Sequence, residues 1–244
     1  MPDLAPLHFS QLKHIARSPL HFKHALSTSR KDKRHFRIGR AVDMLHTGNT
    51  EKLIIYPGER RGKKWADFEA AQPADAEIIT ESEKLDIYGM AGALHKRTDA
   101  LDLLQGDRQR MFQWSIAGRP CEGTPDCFTW RRVTDLKSTR NADPRRFKWD
   151  ARKLGYHAQL SWYAHGLRAA KLAEPTECYI VAVESEAPYP VVVYQLTPDD
   201  LERGAKLWRG WFETLRTCEE SDHWPGYTEG IVPLDLPIPE ELEE

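Results

Sequence analysis

Residues 123–139, GTPDCFTWRRVTDLKST, decide how this chain folds and what chemistry it can carry. The run over residues 121–129 and the run RRVTDLKST are short, β-branched and aromatic, which places Asp126 and Asp135 on consecutive strands. If those strands pair antiparallel, the eight residues between the aspartates bring both carboxylates to one end of the sheet. Side chains two apart on a strand share a face, so Lys137 stands beside Asp135, and the Leu136 carbonyl offers a third oxygen. Such oxygens suit a hard cation, Mg²⁺ or Mn²⁺ in its place, while a neighbouring ammonium can orient an attacking water. That is the chemistry of a metal-dependent phosphodiesterase. A D…D-x-K pattern with a loose gap is short enough to arise by chance, so its weight depends on its surroundings.

The amino-terminal side reads as helical. Ser10 is the expected N-cap of a short helix to Arg17, and Ser18-Pro19 starts a second. Residues 38–46 read as another helix ended by Gly48-Asn49, and residues 57–76 as a surface loop with a short helix. Residues 80–104 form a third helical region with Leu85, Tyr88, Ala91, Leu94 and Leu101 at near-helical spacing. A strand meander follows: MFQWSI, residues 121–129 and RRVTDLKST, separated by Gly118-Arg119-Pro120 and Gly123. An amphipathic helix, KLGYHAQLSWYAHGLRAAKL, is expected from Lys153. Strands CYIVAVES and VVVYQL come next, then a helix capped by Thr197 that carries Leu201, Leu207, Trp208, Trp211 and Leu215. The expected class is α/β, a central mixed sheet flanked by helices with an N-terminal helical extension. It reads as a single domain over residues 1–244: 1–104 mainly helical, 105–196 the catalytic sheet and helix, 197–227 a C-terminal helix, 228–244 an acidic tail.

Hydrophobic residues make up 40% of the 244, with eight each of Trp, Tyr and Phe, which is ample core material and argues against wholesale disorder. No stretch approaches the ~20 apolar residues of a membrane span, and MPDLAPLHFSQLKH lacks the apolar segment of a signal peptide. A cytoplasmic protein with no membrane partner is expected. Cys121, Cys127, Cys178 and Cys218 contain no C-x₂-C pair and read as buried free thiols, although Cys121 and Cys127 are placed to face each other across a hairpin. The net charge of −2 conceals two cationic stretches. Residues 9–40 hold nine Lys/Arg against one acid, and residues 131–153 hold nine against three, whereas residues 197–244 are acidic. Cationic stretches around the carboxylate motif suit a polyanionic substrate.

The helix after the motif adds polar groups in register. Tyr156, Gln159 and Tyr163 are spaced i, i+3, i+7 and share one face, from which they can line a cleft and reach a phosphate or a metal-bound water. The alternative is a packed aromatic stripe with one satisfied glutamine. TPDCFTWRRVTDLKST, YHAQLSWYAHGL and the Trp224-Pro225-Gly226-Tyr227 ending together resemble the RecE-type (exonuclease VIII) branch of the PD-(D/E)XK nuclease superfamily, over residues 9–227.

The resemblance implies a restriction-endonuclease-like core in which Asp126 and Asp135 bind Mg²⁺, Lys137 is the catalytic lysine, and Gln159 with Tyr163 is the helix motif. It implies an ATP-independent exonuclease that digests one strand of linear double-stranded DNA from the 5′ end and leaves 3′ tails. Such proteins tend to form closed rings, and a single-strand annealing protein is the implied partner in recombination. Arg37, Arg40, Arg140 and Tyr156 are the expected DNA contacts, with Arg40 or an arginine within residues 30–37 taking a 5′ phosphate. The sequence departs from the family pattern twice. Where the family has G-x-A-x-H, this chain has Gly39-Arg40-Ala41-Val42-Asp43, so Asp43 is the expected extra metal ligand, with His46 one turn on as the alternative. An acid usual on the first strand is replaced, Gln109 being the nearest match. Two other readings share these residues: a PD-(D/E)XK endonuclease, and a non-catalytic DNA-binding scaffold on a degenerate nuclease fold.

Overall fold

The computed structural model describes residues 5–28, 33–228 and 230–234. The chain begins with β1 (Leu7–His8), α1 (Phe9–Leu12), a 3₁₀ turn (Lys13–Ala16), α2 (Pro19–Ser27) and α3 (Arg34–Thr47). Next come β2 (Leu53–Tyr56), α4 (Gly62–Ala70), β3 (Glu77–Thr80), α5 (Glu81–His95) and α6 (Thr98–Leu103). Five strands follow: β4 (Asp107–Arg108), β5 (Phe112–Ile116), β6 (Arg119–Gly123), β7 (Cys127–Phe128) and β8 (Arg132–Thr139). The chain continues through α7 (Pro144–Leu154), α8 (Tyr156–Ala169), β9 (Glu177–Glu184), β10 (Val191–Gln195) and α9 (Pro198–Ser221).

The central sheet has the order β10-β9-β8-β7-β4, and it is mixed because β8 and β9 run parallel while the other neighbours are antiparallel. β9 shows why the sheet is central. Its Cys178, Ile180 and Ala182 pack with Leu160, Trp162 and Trp208 of α8 and α9, while Val181 and Val183 pack with Ile38, Ile87 and Met90 of α3 and α5. A strand covered on both faces has no polar side to show, hence its unbroken apolar run. The α8–α9 layer is tied by Trp162 edge-on to Trp208 at 5.3 Å and by the Trp208 indole N–H donating to Ser161 Oγ at 3.2 Å.

Several local signals act as expected. Ser18 Oγ accepts from the His21 N–H, Gly48 ends α3 in the left-handed conformation, and Thr197 forms a capping box with Asp200. The Trp224-Pro225 segment docks on α2, with Trp224 stacked on Phe22 at 5.9 Å and the Leu20 N–H donating to the Pro225 carbonyl at 3.0 Å.

Other expectations are corrected. The first helix starts at Phe9 rather than after Ser10, with the Gln11 side chain accepting from the His8 N–H at 3.0 Å. In α5, Leu85 and Tyr88 face solvent, while Ala91 and Leu94 of the same expected stripe are buried together with Ile87 and Met90, so the near-helical spacing holds for part of the buried face only. The meander divides: β5 and β6 pair in a separate sheet with β1, and only β7 and β8 join the central one. Cys121 and Cys127 therefore lie opposite Trp114 and Thr134 rather than each other, and all four thiols are free and buried. The helix expected from Lys153 is two helices, because Gly155 adopts φ 74° and turns the chain between α7 and α8. β2 and β3 form a parallel pair within the mainly helical amino-terminal part.

Two glycines in α9 test this packing with opposite signs. A Cβ on Gly204 would sit 2.3 Å from the His157 carbonyl oxygen, whereas one on Gly210 would meet nothing within 4 Å. Alanine favours a helix interior by about 1 kcal/mol, but forcing backbones apart costs about 1–3 kcal/mol. Gly204→Ala is therefore expected to lower the denaturant midpoint and Gly210→Ala to raise it. Equal effects would contradict the close approach of α9 to α8.

Candidate active site

β7 and β8 pair antiparallel in the register Cys127 to Thr134, and continuing that register brings Asp126 level with Asp135. The Leu136 N–H donates to Asp126 Oδ2 at 2.7 Å, locking that carboxylate against the strand that carries Asp135 and Lys137. Asp135 is 2% exposed and forms an ion pair with Lys137 on the same face of β8. Lys137 Nζ lies 5.1 Å from the centre of the Tyr156 ring, so α8 covers the ammonium with its first residue. One turn further, Gln159 Nε2 donates to the Tyr163 hydroxyl at 3.1 Å. Asp126, Asp135, Lys137, Tyr156, Gln159 and Tyr163 are thus gathered where β7 and β8 meet α8.

Gln109 closes the other side. Its backbone adopts φ 46°, an uncommon conformation for a residue with a side chain. From there its N–H donates to the Asp126 carbonyl at 3.2 Å and its side-chain amide donates to Asp126 Oδ1 at 3.0 Å. The same amide nitrogen is 3.5 Å from Asp43 Oδ2 on α3. Asp43 is in this way linked to the carboxylate cluster. His46, one turn along α3, has no hydrogen bond to the cluster: its ring lies 5.8 Å from that of His95, and both its ring nitrogens are buried without a hydrogen-bond partner among the described residues. Burial, with Arg108 and His95 adding to it, pushes the imidazole down to about 4, so it is neutral at physiological pH. Nothing in the sequence around Gln109 signals that its amide joins two carboxylates, because the link depends on its backbone conformation.

The electrostatics of the cluster are unbalanced. Burial and then the charge of Asp135 push the Asp126 carboxyl up to about 8, against the opposing pull of Lys137 and the Leu136 N–H. Burial also raises Asp43, with Arg108 opposing it. Lys137 loses hydration, yet the Asp135 and Asp126 charges outweigh that loss and hold the ammonium above its ordinary range. Burial and the Asp135 charge push the Tyr163 hydroxyl up to about 12, which keeps it a neutral donor. Three carboxyl groups around one ammonium leave a surplus of acid, which keeps a proton on Asp126 at neutral pH, and an all-oxygen donor set. That surplus is what a hard divalent cation neutralises, and the donors fit one. Among the described residues no three Asp, Glu, His or Cys side chains already converge into a coordination group.

The expected DNA contacts separate. The Arg37 side chain is 11% exposed and pairs with Glu83 at 3.2 Å, and Arg40 binds both carboxylate oxygens of Glu77. These two join α3 to α5 and β3. Arg140 is exposed at the end of β8 nearest the cluster. Arg30 lies outside the described residues.

This fold and this arrangement of strand-borne acids, lysine and covering helix are those of the PD-(D/E)XK-like class. A family model described as a PDDEXK-like domain of unknown function, DUF3799, matches residues 8–235, and the chain belongs to that family. A protein from Eubacterium rectale, provisionally named an exonuclease, shares the fold in its crystal structure at a TM-score of 0.69 and 12% identity, over 98% of this chain and 92% of that one. The structure of SSO0001 superposes with a TM-score of 0.30 at 13% identity, over 82% of this chain and 83% of that one, too low to carry weight. No curated protein matches the chain.

The raised Asp126 carboxyl has a measurable consequence. The folded state holds this proton more tightly than the unfolded chain, so the contribution to stability is fully present below the ordinary value of 3.8 and is lost as pH rises through about 8. In chelator, the wild type is expected to lose stability from pH 5 to 8 relative to Asp126→Asn, measured by denaturant unfolding. Parallel curves for the two proteins would contradict the assignment.

Proposed function

We propose that this protein is a metal-dependent deoxyribonuclease, an ATP-independent exonuclease of the RecE type that degrades linear double-stranded DNA from 5′ to 3′ and leaves 3′ single-stranded tails. The observation that carries this reading is the meeting of Asp126, Asp135 and Lys137 with Gln159 and Tyr163 at one end of the central sheet. Membership of a PDDEXK-like family supports the nuclease class, and the motif resemblance supports the exonuclease branch.

Asp126 and Asp135, with the Leu136 carbonyl and Asp43, would hold Mg²⁺ or Mn²⁺, the remaining positions falling to water and substrate oxygens as Mg²⁺ commonly requires. When bound, the ion supplies Lewis-acid polarisation of the scissile phosphate. Lys137, held charged by Asp135, works as a hydrogen-bond donor that orients the attacking water or a phosphate oxygen; an ammonium with a raised pKa does not serve as a base. The neutral Tyr163 hydroxyl and the Gln159 amide hold the helix side of the cleft in a fixed hydrogen-bonded pair that faces the charged centre. Neutral, preset donors of this kind cost no reorganisation as charge develops.

In the cell the 3′ tails would pass to a single-strand annealing protein for recombination, as in phage systems, and a homo-oligomeric ring would keep the enzyme on its substrate. A cytoplasmic setting accords with the free thiols and with the finding that no helix among the described residues is long and apolar enough to cross a membrane.

Linear duplex labelled separately at each 5′ and 3′ end tests the reading. With Mg²⁺, the expected result is early release of 5′ label, retention of 3′ label, and intact closed circular DNA. Asp135→Ala and Lys137→Ala are each expected to lower hydrolysis by about 10²-fold or more while duplex binding persists. Cutting of circular DNA would favour the endonuclease reading. Full activity in either variant would overturn the assignment.

A further inference from the structure

α7 carries an exposed aromatic residue, Trp149, whose ring meets the neighbouring Lys148 Nζ, 5.4 Å from its centre, and no other ring or cation among the described residues. Phe147 is the one buried side chain of α7, 2% exposed, stacked on Tyr194 at 4.6 Å and tilted against Tyr156 at 6.2 Å. Tyr156 is the ring beneath Lys137, so Phe147 anchors this helix directly beside the candidate active site. On the opposite side of the helix Trp149 is 62% exposed. At 100° per residue, Arg145, Arg146, Arg152 and Lys153 all fall within about 60° of Trp149, two before it and two after. Arg145 pairs with its own N-cap, Asp143; Arg146, Arg152 and Lys153 make no ion pair among the described residues. Asp150 is the one acid within the helix.

An exposed indole ringed by cations has a definite chemistry. A membrane-surface helix would present an apolar stripe, and here the cationic face holds one aromatic ring only; Leu154, also exposed, lies well around the helix from it. A folding role would bury the indole. Stacking on a base, with cations on the neighbouring phosphates, uses both features together. The two cation pairs are about 10 Å apart along the helix axis, roughly the rise of three nucleotides of a duplex strand. In a duplex the base faces are covered by neighbouring pairs, so a side-on ring can stack only where a strand is unpaired.

We propose that the Trp149 face of α7 is a platform for single-stranded DNA, with the indole stacked on an unpaired base and the arginines and lysine gripping the phosphates on either side. That the strand is the one opened at a DNA end beside the active site rests on the nuclease reading; the binding chemistry does not.

Binding of a fluorescent 15-nucleotide oligothymidylate and of a blunt duplex, measured in chelator so that nothing is cut, separates the two. Trp149→Ala is expected to weaken the oligonucleotide about 10-fold, the order of one base–aromatic stack, and the duplex much less, with Trp149→Phe keeping most of the affinity. Trp130→Ala, which removes an equally exposed indole at the Arg132 end of β8, should change nothing. Arg146→Glu with Lys153→Glu should lessen the salt dependence of oligonucleotide binding by at least the share of two phosphate contacts, about 1.4 in log–log slope. Wild-type affinity in Trp149→Ala, equal losses in Trp149→Ala and Trp130→Ala, or capture by phosphatidylserine vesicles with no oligonucleotide binding would each overturn the proposal. If the wild type cleaves with Mg²⁺ and Trp149→Ala binds normally, the platform alone fails. If Trp149→Ala loses the oligonucleotide but the wild type never cleaves, the nuclease reading fails and the platform stands.

Discussion

Two carboxylates and one ammonium meet where β7 and β8 run under α8, at one end of the central sheet, and the local architecture is the means of keeping them there. Asp135 and Lys137 lie on β8, whose register is held on one side by the parallel ladder to β9 and on the other by the short antiparallel pairing to β7. Asp126 is held by the Leu136 N–H and the Gln109 amide, both donors, so its carboxylate has hydrogen bonds but too little positive charge nearby. Such an arrangement is costly alone, since buried like charges repel and one must take up a proton. A site that holds this strain without a structural return is characteristic of function rather than of stability.

Much of this was legible. A β-branched run carrying D-x-K, with eight residues between its Asp and the Asp before it, brings the acids together if the two strands pair antiparallel, and the Gln159/Tyr163 spacing put both on one helical face. Caps at Ser18 and Thr197 follow from local chemistry that tertiary structure does not alter. What was hidden depends on long-range packing. LIIY and EIIT are four-residue segments built on an Ile-Ile pair without alternation, and periodicity cannot say whether so short a run is strand or helix. In α5, Leu85 and Tyr88 match the helical period as well as Ile87 and Met90 do, and only the positions of α3 and the sheet select the buried face. α7 has one core residue in eleven, too few for a pattern. Gln109 stands out in the sequence only as the residue replacing an acid; its role as a link was hidden because that role depends on a left-handed backbone and two distant partners.

The structure also sorts the cations, which composition lumps together. Arg37 and Arg40 fall in a strongly basic stretch but are committed to Glu83 and Glu77, so they bind helix and strand to one another. Those of α7 stand on an exposed face beside the cluster. A cationic run in sequence therefore says little about a polyanionic partner until its carboxylates are located; partly buried ion pairs consume the charge that the run displays.

The central claim is that the carboxylates around Lys137 form a divalent-cation site. Calorimetric titration of Mg²⁺ at pH 7, repeated in buffers of different ionisation enthalpy, tests it most directly. The account predicts saturable binding to the wild type accompanied by proton release, because the raised Asp126 carboxyl must ionise as the cation arrives, and loss of both signals in Asp126→Asn. Absence of saturable binding in the wild type, or binding with undiminished affinity in Asp126→Asn, would contradict it.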